Sequence, residues 1–172
     1  GVDIVVNNAG VASAGTVDDA SHEDWQWTLN INLMGVVRGC RAFVPVLRKQ
    51  GEGRIVNIAS FAGIANAPHM GAYSASKAGV ISLSETLRAE LALTARGVKV
   101  SAVCPAFFQT NLMAASRAPV KDRALAEKLM AASRESADDV AAHIYKGVLR
   151  GDFMIFPTKA ETMRWRIKRF LP

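Results

Sequence analysis

The chain has little that would staple it, anchor it or load it with metal. It carries two cysteines, Cys40 and Cys104, far apart and in no C-x-x-C pair. That excludes a disulfide framework and reads as reduced thiols in a cytosolic protein. No apolar run reaches the roughly 20 residues of a membrane span. The opening GVDIVVNNAG has no basic n-region and no cleavage-type site, so no secretory leader is expected in it. Histidines are few, and His22, His69 and His143 stand in no metal-ligand spacing with Cys, Asp or Glu, so no metal is expected. Acidic residues are outnumbered, 15 against 21 Lys and Arg. The excess is local, because Arg150, Lys159, Arg164, Arg166, Lys168 and Arg169 face only Asp152 and Glu161 in the last part of the chain. A general nucleic-acid-binding face is not expected; one basic terminal feature is.

What is present is apolar: 50% of the 172 residues are hydrophobic, enough for the core of a single domain. VDIVV (2–6) is a β-branched run that stops at NNAG, as a buried parallel strand ends in a turn. Ser21 with Asp24 resembles a capping box and opens a helical stretch reaching about Gln50, where GEG breaks it. RIVNIAS (54–60) reads as a second strand, and a small-residue loop follows it. A helix from about Ala72 to Arg96 carries Leu83, Leu87 and Leu91 at helical spacing. VKVSAVCP (98–105) is a third strand, and residues 106–135 mix loop with a short helix. A helix from Ser136 to Arg150 and a fourth strand, DFMIFP (152–157), complete the order. This alternation implies an α/β fold: a Rossmann-like parallel sheet of about four strands, with helices on both faces in three layers. Ligands bind such sheets beyond the carboxyl ends of the strands, where Asn7–Gly10, Asn57–Gly63 and Pro105–Asn111 cluster.

Tyr73 and Lys77 are four apart in YSASKAG and share a helix face. An adjacent ammonium favours a phenolate, so the pair can exchange a proton with a substrate oxygen near neutral pH. The spacing alone is met equally by a half-buried tyrosine beside a solvated lysine. Ser60 ends a strand and would project its hydroxyl at the sheet edge; an isolated serine there also serves as a turn cap. Asn32 lies within the first long helical stretch, with Gly35 close behind; it suits a local kink with room for a water, or is a polar residue that the helix tolerates.

Together these residues resemble the classical branch of the short-chain dehydrogenase/reductase family. NNAG at 7–10 is similar to that family's turn after its fourth strand. Asn32, Ser60, Tyr73 and Lys77 match its catalytic tetrad in order and spacing, and PAFFQT (105–110) resembles its P-G-x-x-x-T segment. The resemblance implies that Tyr73 is the general acid/base and that Ser60 orients the substrate oxygen. It implies that Lys77 lowers the Tyr73 pKa and binds the nicotinamide ribose, and that Asn32 anchors a relay water. Asn8, Ala9 and Gly10 would approach the adenosine side of NAD or NADP, and Pro105, Ala106, Phe108 and Thr110 the nicotinamide end. Two features depart from the family. Ala106 stands where a glycine is usual. No glycine-rich G-x-x-x-G-x-G turn occurs, so the chain is expected to be a single Rossmann domain, 1–172, truncated at its N-terminal side by roughly 80 to 90 residues. Such a segment should expose a hydrophobic sheet edge.

Phe61, Ile64, Pro68, Met70, Phe107, Leu112 and Met113 flank the site and suit a hydrophobic alcohol or ketone, or else pack beneath a loop. His69 lies among them, as a substrate contact or an exposed loop residue. The basic tail, 161–172, places Trp165, Ile167 and Phe170 among cations. It is expected to pack on the protein or a second subunit of a homo-oligomer, or to touch an anionic membrane surface. An epimerase of the extended branch and a non-catalytic scaffold remain the alternatives to an oxidoreductase.

Overall fold

A computed structural model describes residues 1–170, so Leu171 and Pro172 of the basic tail lie outside the described residues. Four strands, β1 (Ile4–Asn7), β2 (Glu52–Ile58), β3 (Gly97–Val103) and β4 (Met154–Ile155), form one sheet whose spatial order follows the chain. Every pairing is parallel. Parallel neighbours need crossovers, and helices supply them. Helices α1 (His22–Asn32) and α2 (Met34–Gln50) connect β1 to β2, and α3 (Gly71–Thr94) connects β2 to β3. Helices α4 (Val120–Ala131) and α5 (Ala137–Arg150) connect β3 to β4, and α6 (Lys159–Phe170) follows.

Side chains alternate across a strand, so β2 sends Ile55 to one face and Val56 to the other. Ile55 joins Val5 and Val100 beneath Val36 and Leu47 of α2 and Val80 and Leu91 of α3. Val56 and Val103 meet Val148 of α5 and Ile155 on the opposite face. The result is the expected three-layer Rossmann-like α/β arrangement. Both cysteines are free thiols buried in the larger core.

The long helix expected over 21–50 is two helices, broken at Leu33 (φ −101°, ψ −55°), directly after Asn32. Its start is as expected, with Ser21 Oγ accepting the Asp24 N–H at 3.1 Å. Ser136 and Asp139 make the full reciprocal cap at α5. The second strand begins at Glu52, inside the expected breaker: Gly51 (φ 88°) closes α2 and Gly53 (φ 136°) already lies in β2, conformations that favour glycine. The fourth strand is only two residues long. Phe153 and Phe156 on either side pack against Arg88 and against Phe61 and Trp165. The edge strand β1 leaves Ile4 40% and Val6 55% exposed.

Candidate functional site

The carboxyl ends of β1, β2 and β3 deliver the site. Helix α3 begins at Gly71, which places Tyr73 and Lys77 on one face of its first two turns. Both are buried, with Lys77 3% exposed and its Nζ 5.8 Å from the Tyr73 ring centroid. Lys77 Nζ donates to Ile58 O, at the end of β2, at 2.9 Å. Burial pulls the Lys77 ammonium down to about 8. Burial also pushes the Tyr73 phenol above its ordinary value, and the nearby Ser60 hydroxyl works against that rise. This direction is opposite to the one expected of a phenol beside a cation: desolvation of the phenolate prevails, and the same burial weakens the neighbouring charge.

Ser60 opens a 3-10 turn over Phe61–Gly63. Its Oγ accepts the Ala62 N–H at 3.1 Å and reaches Pro105 O at 3.4 Å. That turn lies directly on α3. A Cβ on Gly63 would stand 2.7 Å from both Ala78 N and Lys77 C, so only a glycine lets the two backbones meet here. The close approach brings Ser60 onto Tyr73. Gly63 was not singled out in the sequence; its signal was a glycine three residues after Ser60.

Asn32 is fully buried, and its amide is committed to protein groups. Oδ1 accepts the Val11 N–H at 2.8 Å, while Nδ2 donates to Val11 O at 3.0 Å and Ser76 Oγ at 3.1 Å. The side chain therefore ties the segment after NNAG to α3. Gly10 sits between: a Cβ there would lie 3.4 Å from Lys77 Nζ and 3.5 Å from Asn32 Oδ1. Asn8 and Ala9 are exposed beyond β1. Asn7 instead turns inward, donating to Asn57 Oδ1 at 2.8 Å, and Asn57 donates to Ser84 Oγ at 2.9 Å.

On the third strand end, Pro105 is buried and Ala106 and Phe108 are half-buried. Thr110 is exposed and lines an open cleft of about 760 Å³ with Arg123 and Glu127, which meets the cavity beside Ser60 and Tyr73 at Met113 and Met130. The Ala106 N–H donates to Glu161 Oε1 at 2.6 Å. Glu161 was read in the sequence only as a tail anion, yet it is buried. Burial pushes its carboxyl up, against the backbone N–H groups of Thr158 and Ala106 and the charge of Arg164.

Against Ser60 and Tyr73 lies a cavity of about 130 Å³. Phe61, Met70, Phe107, Leu112 and Met113 line it, as the sequence suggested, with Met130 of α4 added. Ile64 packs against the main core instead, and Pro68 is exposed. His69 is outside the cavity, with Nδ1 3.3 Å from Asp122 Oδ2. Among the described residues, the polar side chains of the lining are Ser60 and Tyr73. Such a lining is chemically suited to an apolar molecule, with two hydroxyls as its polar groups. Lys77 has one acceptor among the described residues, so its ammonium keeps donors for the hydroxyls of a bound polyol such as a ribose. With no Cβ on Gly10 and a buried cation behind it, the space here suits the close approach of a dinucleotide. Among the described residues no group of three His, Cys, Asp or Glu side chains gathers.

A family model described as short chain dehydrogenase matches residues 1–121. A 3beta-hydroxysteroid dehydrogenase of Eggerthella lenta is 41% identical over 144 residues, covering 83% of this chain and 54% of that enzyme. A 3-oxoacyl-[acyl-carrier-protein] reductase of Synechocystis is 42% identical over 111 residues, covering 64% and 44%. The chain thus spans about half the length of these relatives. The crystal structure of a short chain dehydrogenase/reductase from Burkholderia phymatum in complex with NAD superposes with a TM-score of 0.92 at 32% identity, covering 98% of this chain and 66% of that one. The chain belongs to the short chain dehydrogenase family.

Proposed function

We propose that these residues are the catalytic part of an NAD- or NADP-dependent oxidoreductase that interconverts an alcohol and a carbonyl on a hydrophobic small molecule. The observation that carries the reading is the cavity whose wall, among the described residues, is apolar but for the Ser60 and Tyr73 hydroxyls, with Lys77 buried beside Tyr73. The two relatives, a hydroxysteroid dehydrogenase and an oxoacyl reductase by name, accord with exchange between hydroxyl and carbonyl.

In this reading Tyr73 gives a proton to the carbonyl oxygen during reduction and takes it back during oxidation. Ser60 turns its hydroxyl from Pro105 O to the same oxygen and holds it at the phenol. Lys77 binds the ribose hydroxyls and supplies positive charge beside Tyr73. Asn32 fixes Val11 and Ser76, and so holds Gly10 open in front of Lys77. Asn8, Ala9 and Gly10 border the adenosine side, and Pro105, Ala106, Phe108 and Thr110 the nicotinamide side. The nicotinamide, when bound, supplies or receives the hydride. Phe61, Met70, Phe107 and Met113 exclude water from the reacting oxygen.

The test belongs on the longest native product that contains this sequence, because the 172 residues include no glycine-rich pyrophosphate turn. Tyr73→Phe should lower turnover of a hydrophobic alcohol by about 10²- to 10⁴-fold, with cofactor affinity retained. Turnover unchanged by Tyr73→Phe would overturn the assignment and favour a binding protein.

A further inference from the structure

Glu161 is a buried carboxylate outside the tetrad, and it makes no ion pair among the described residues. Burying an ionised carboxylate is costly unless its oxygens are hydrogen-bonded. One oxygen is explained locally. Thr158 and Glu161 form a capping box at the start of α6: Oε2 accepts the Thr158 N–H at 3.0 Å, and the Glu161 N–H reaches Thr158 Oγ1 at 3.3 Å. A cap of this kind uses one carboxylate oxygen. The other, Oε1, leaves the helix and takes the Ala106 N–H at 2.6 Å, across 55 residues of sequence.

The far side of that bond matters more. The Ala106 N–H and the Pro105 carbonyl belong to one peptide unit. The carbonyl accepts the Phe61 N–H at 2.8 Å and the Ser60 hydroxyl at 3.4 Å. A single peptide plane is therefore gripped on one side by Glu161 and on the other by Ser60 and the turn it starts. Rotating that plane would break both sets of contacts. Helix α6 can hold its end of the grip because Trp165, one turn beyond Glu161, packs on Phe156 with ring centroids 5.4 Å apart. Phe156 in turn meets Phe61, at 6.5 Å.

We infer that Glu161 is a positioning residue: its carboxylate fixes the Pro105–Ala106 peptide, so that the docking of α6 sets the loop 105–110 and the Ser60 hydroxyl in their working geometry. The part of this inference that concerns cofactor binding rests on the proposed oxidoreductase reading; the peptide grip does not. The basic tail gains a role inside the domain. Its inward face carries Glu161 and Trp165, while Met163, Ile167 and Phe170 face outward.

Glu161→Gln is the informative substitution. It keeps the shape, but an amide has one acceptor oxygen for two N–H donors and turns its own NH₂ on the other. Residue-resolved amide hydrogen exchange on the 172-residue chain should show Ala106 exchanging at least about tenfold faster, the scale of a lost hydrogen bond to a charged group. Thr158→Val controls for mere loss of helix stability. It removes the Oγ1 half of the cap and leaves Oε1 in place, so it should lower the melting temperature with Ala106 still protected. Protection of Ala106 in Glu161→Gln, or equal loss of protection in both variants, would overturn the inference. In the longest native product, Glu161→Gln should also raise the Kd for NADH or NADPH about tenfold, with the pH profile of turnover unmoved. An unchanged Kd there would overturn the positioning role. A wild-type protein that binds neither nucleotide would overturn the oxidoreductase reading, and the exchange result would then judge the peptide grip on its own.

Discussion

Lys77 illustrates what a single residue gives up for this site. A lysine that is 3% exposed, with one hydrogen-bond acceptor at 2.9 Å, holds its charge against a desolvation cost, and its pKa falls from 10.5 to about 8. The folded state binds the Lys77 proton less tightly than the unfolded chain does. Below about pH 8 both states are protonated and the full penalty applies. Between about 8 and 10.5 only the unfolded chain keeps the proton, and stability from this group rises with pH. Cys104, pushed up to about 12 by burial, runs the other way: its thiolate forms in the unfolded chain first, and stability from it falls as pH rises above 9. A difference between two proteins isolates the lysine. Lys77→Met should be more stable than the wild type at pH 7, and its advantage should shrink from pH 8 to 10.5. Urea unfolding at several pH values measures this, and an advantage independent of pH would contradict the assignment of the cost to the buried charge.

At the scale of elements, the 3-10 turn over Phe61–Gly63 decides whether Ser60 and Tyr73 meet. Gly63→Ala would push a methyl to within 2.7 Å of α3 backbone, which cannot yield as a flexible side chain would. It should destabilise by about 1–3 kcal/mol, the range for overpacking, and should lower the Ser60–Tyr73 contribution to turnover. Gly35 lies in α2 with open space around it, so Gly35→Ala should be neutral or stabilising by up to about 1 kcal/mol. Thermal melts of the pair test the contrast. The difference between these glycines also marks what sequence could and could not show. The β-branched strands, the Ser21 and Ser136 caps and the Tyr73–Lys77 helix face are local properties, written in spacing and propensity. Asn32 was legible as a break because a poor helix former stood near a glycine, but its partners Val11 and Ser76 come from distant segments. Gly63 and Glu161 act through close approaches between residues 14 or more apart in sequence, which no local pattern records. The T-x-x-E of Thr158–Glu161 was a local signal for a helix start; its second oxygen's reach to Ala106 was not.

At the scale of the whole molecule, the sheet ends unevenly. Strand β4 is covered by α5 and flanked by the aromatic contacts of Phe153 and Phe156, and it is only two residues long. Strand β1 pairs with β2 on one side, through Ile4–Asn7 against Arg54–Asn57. Its other edge has no strand partner among the described residues. Val5 enters the core, whereas Ile4 and Val6 point to the other face and remain 40% and 55% exposed. Natural edges are blunted by charge, proline, bulges or a covering element, and IVVN carries none of the first three. The 172-residue chain expressed by itself should therefore associate through β1 at rising concentration. Val6→Lys leaves Val5 in the core and puts a charge on the exposed face of the edge, so the fold should persist while association falls. Sedimentation velocity across a concentration series measures both proteins. If wild type and Val6→Lys sediment alike, and both associate, the contact lies elsewhere. The outward Met163, Ile167 and Phe170 of α6, the last 80% exposed, are then the next surface to charge.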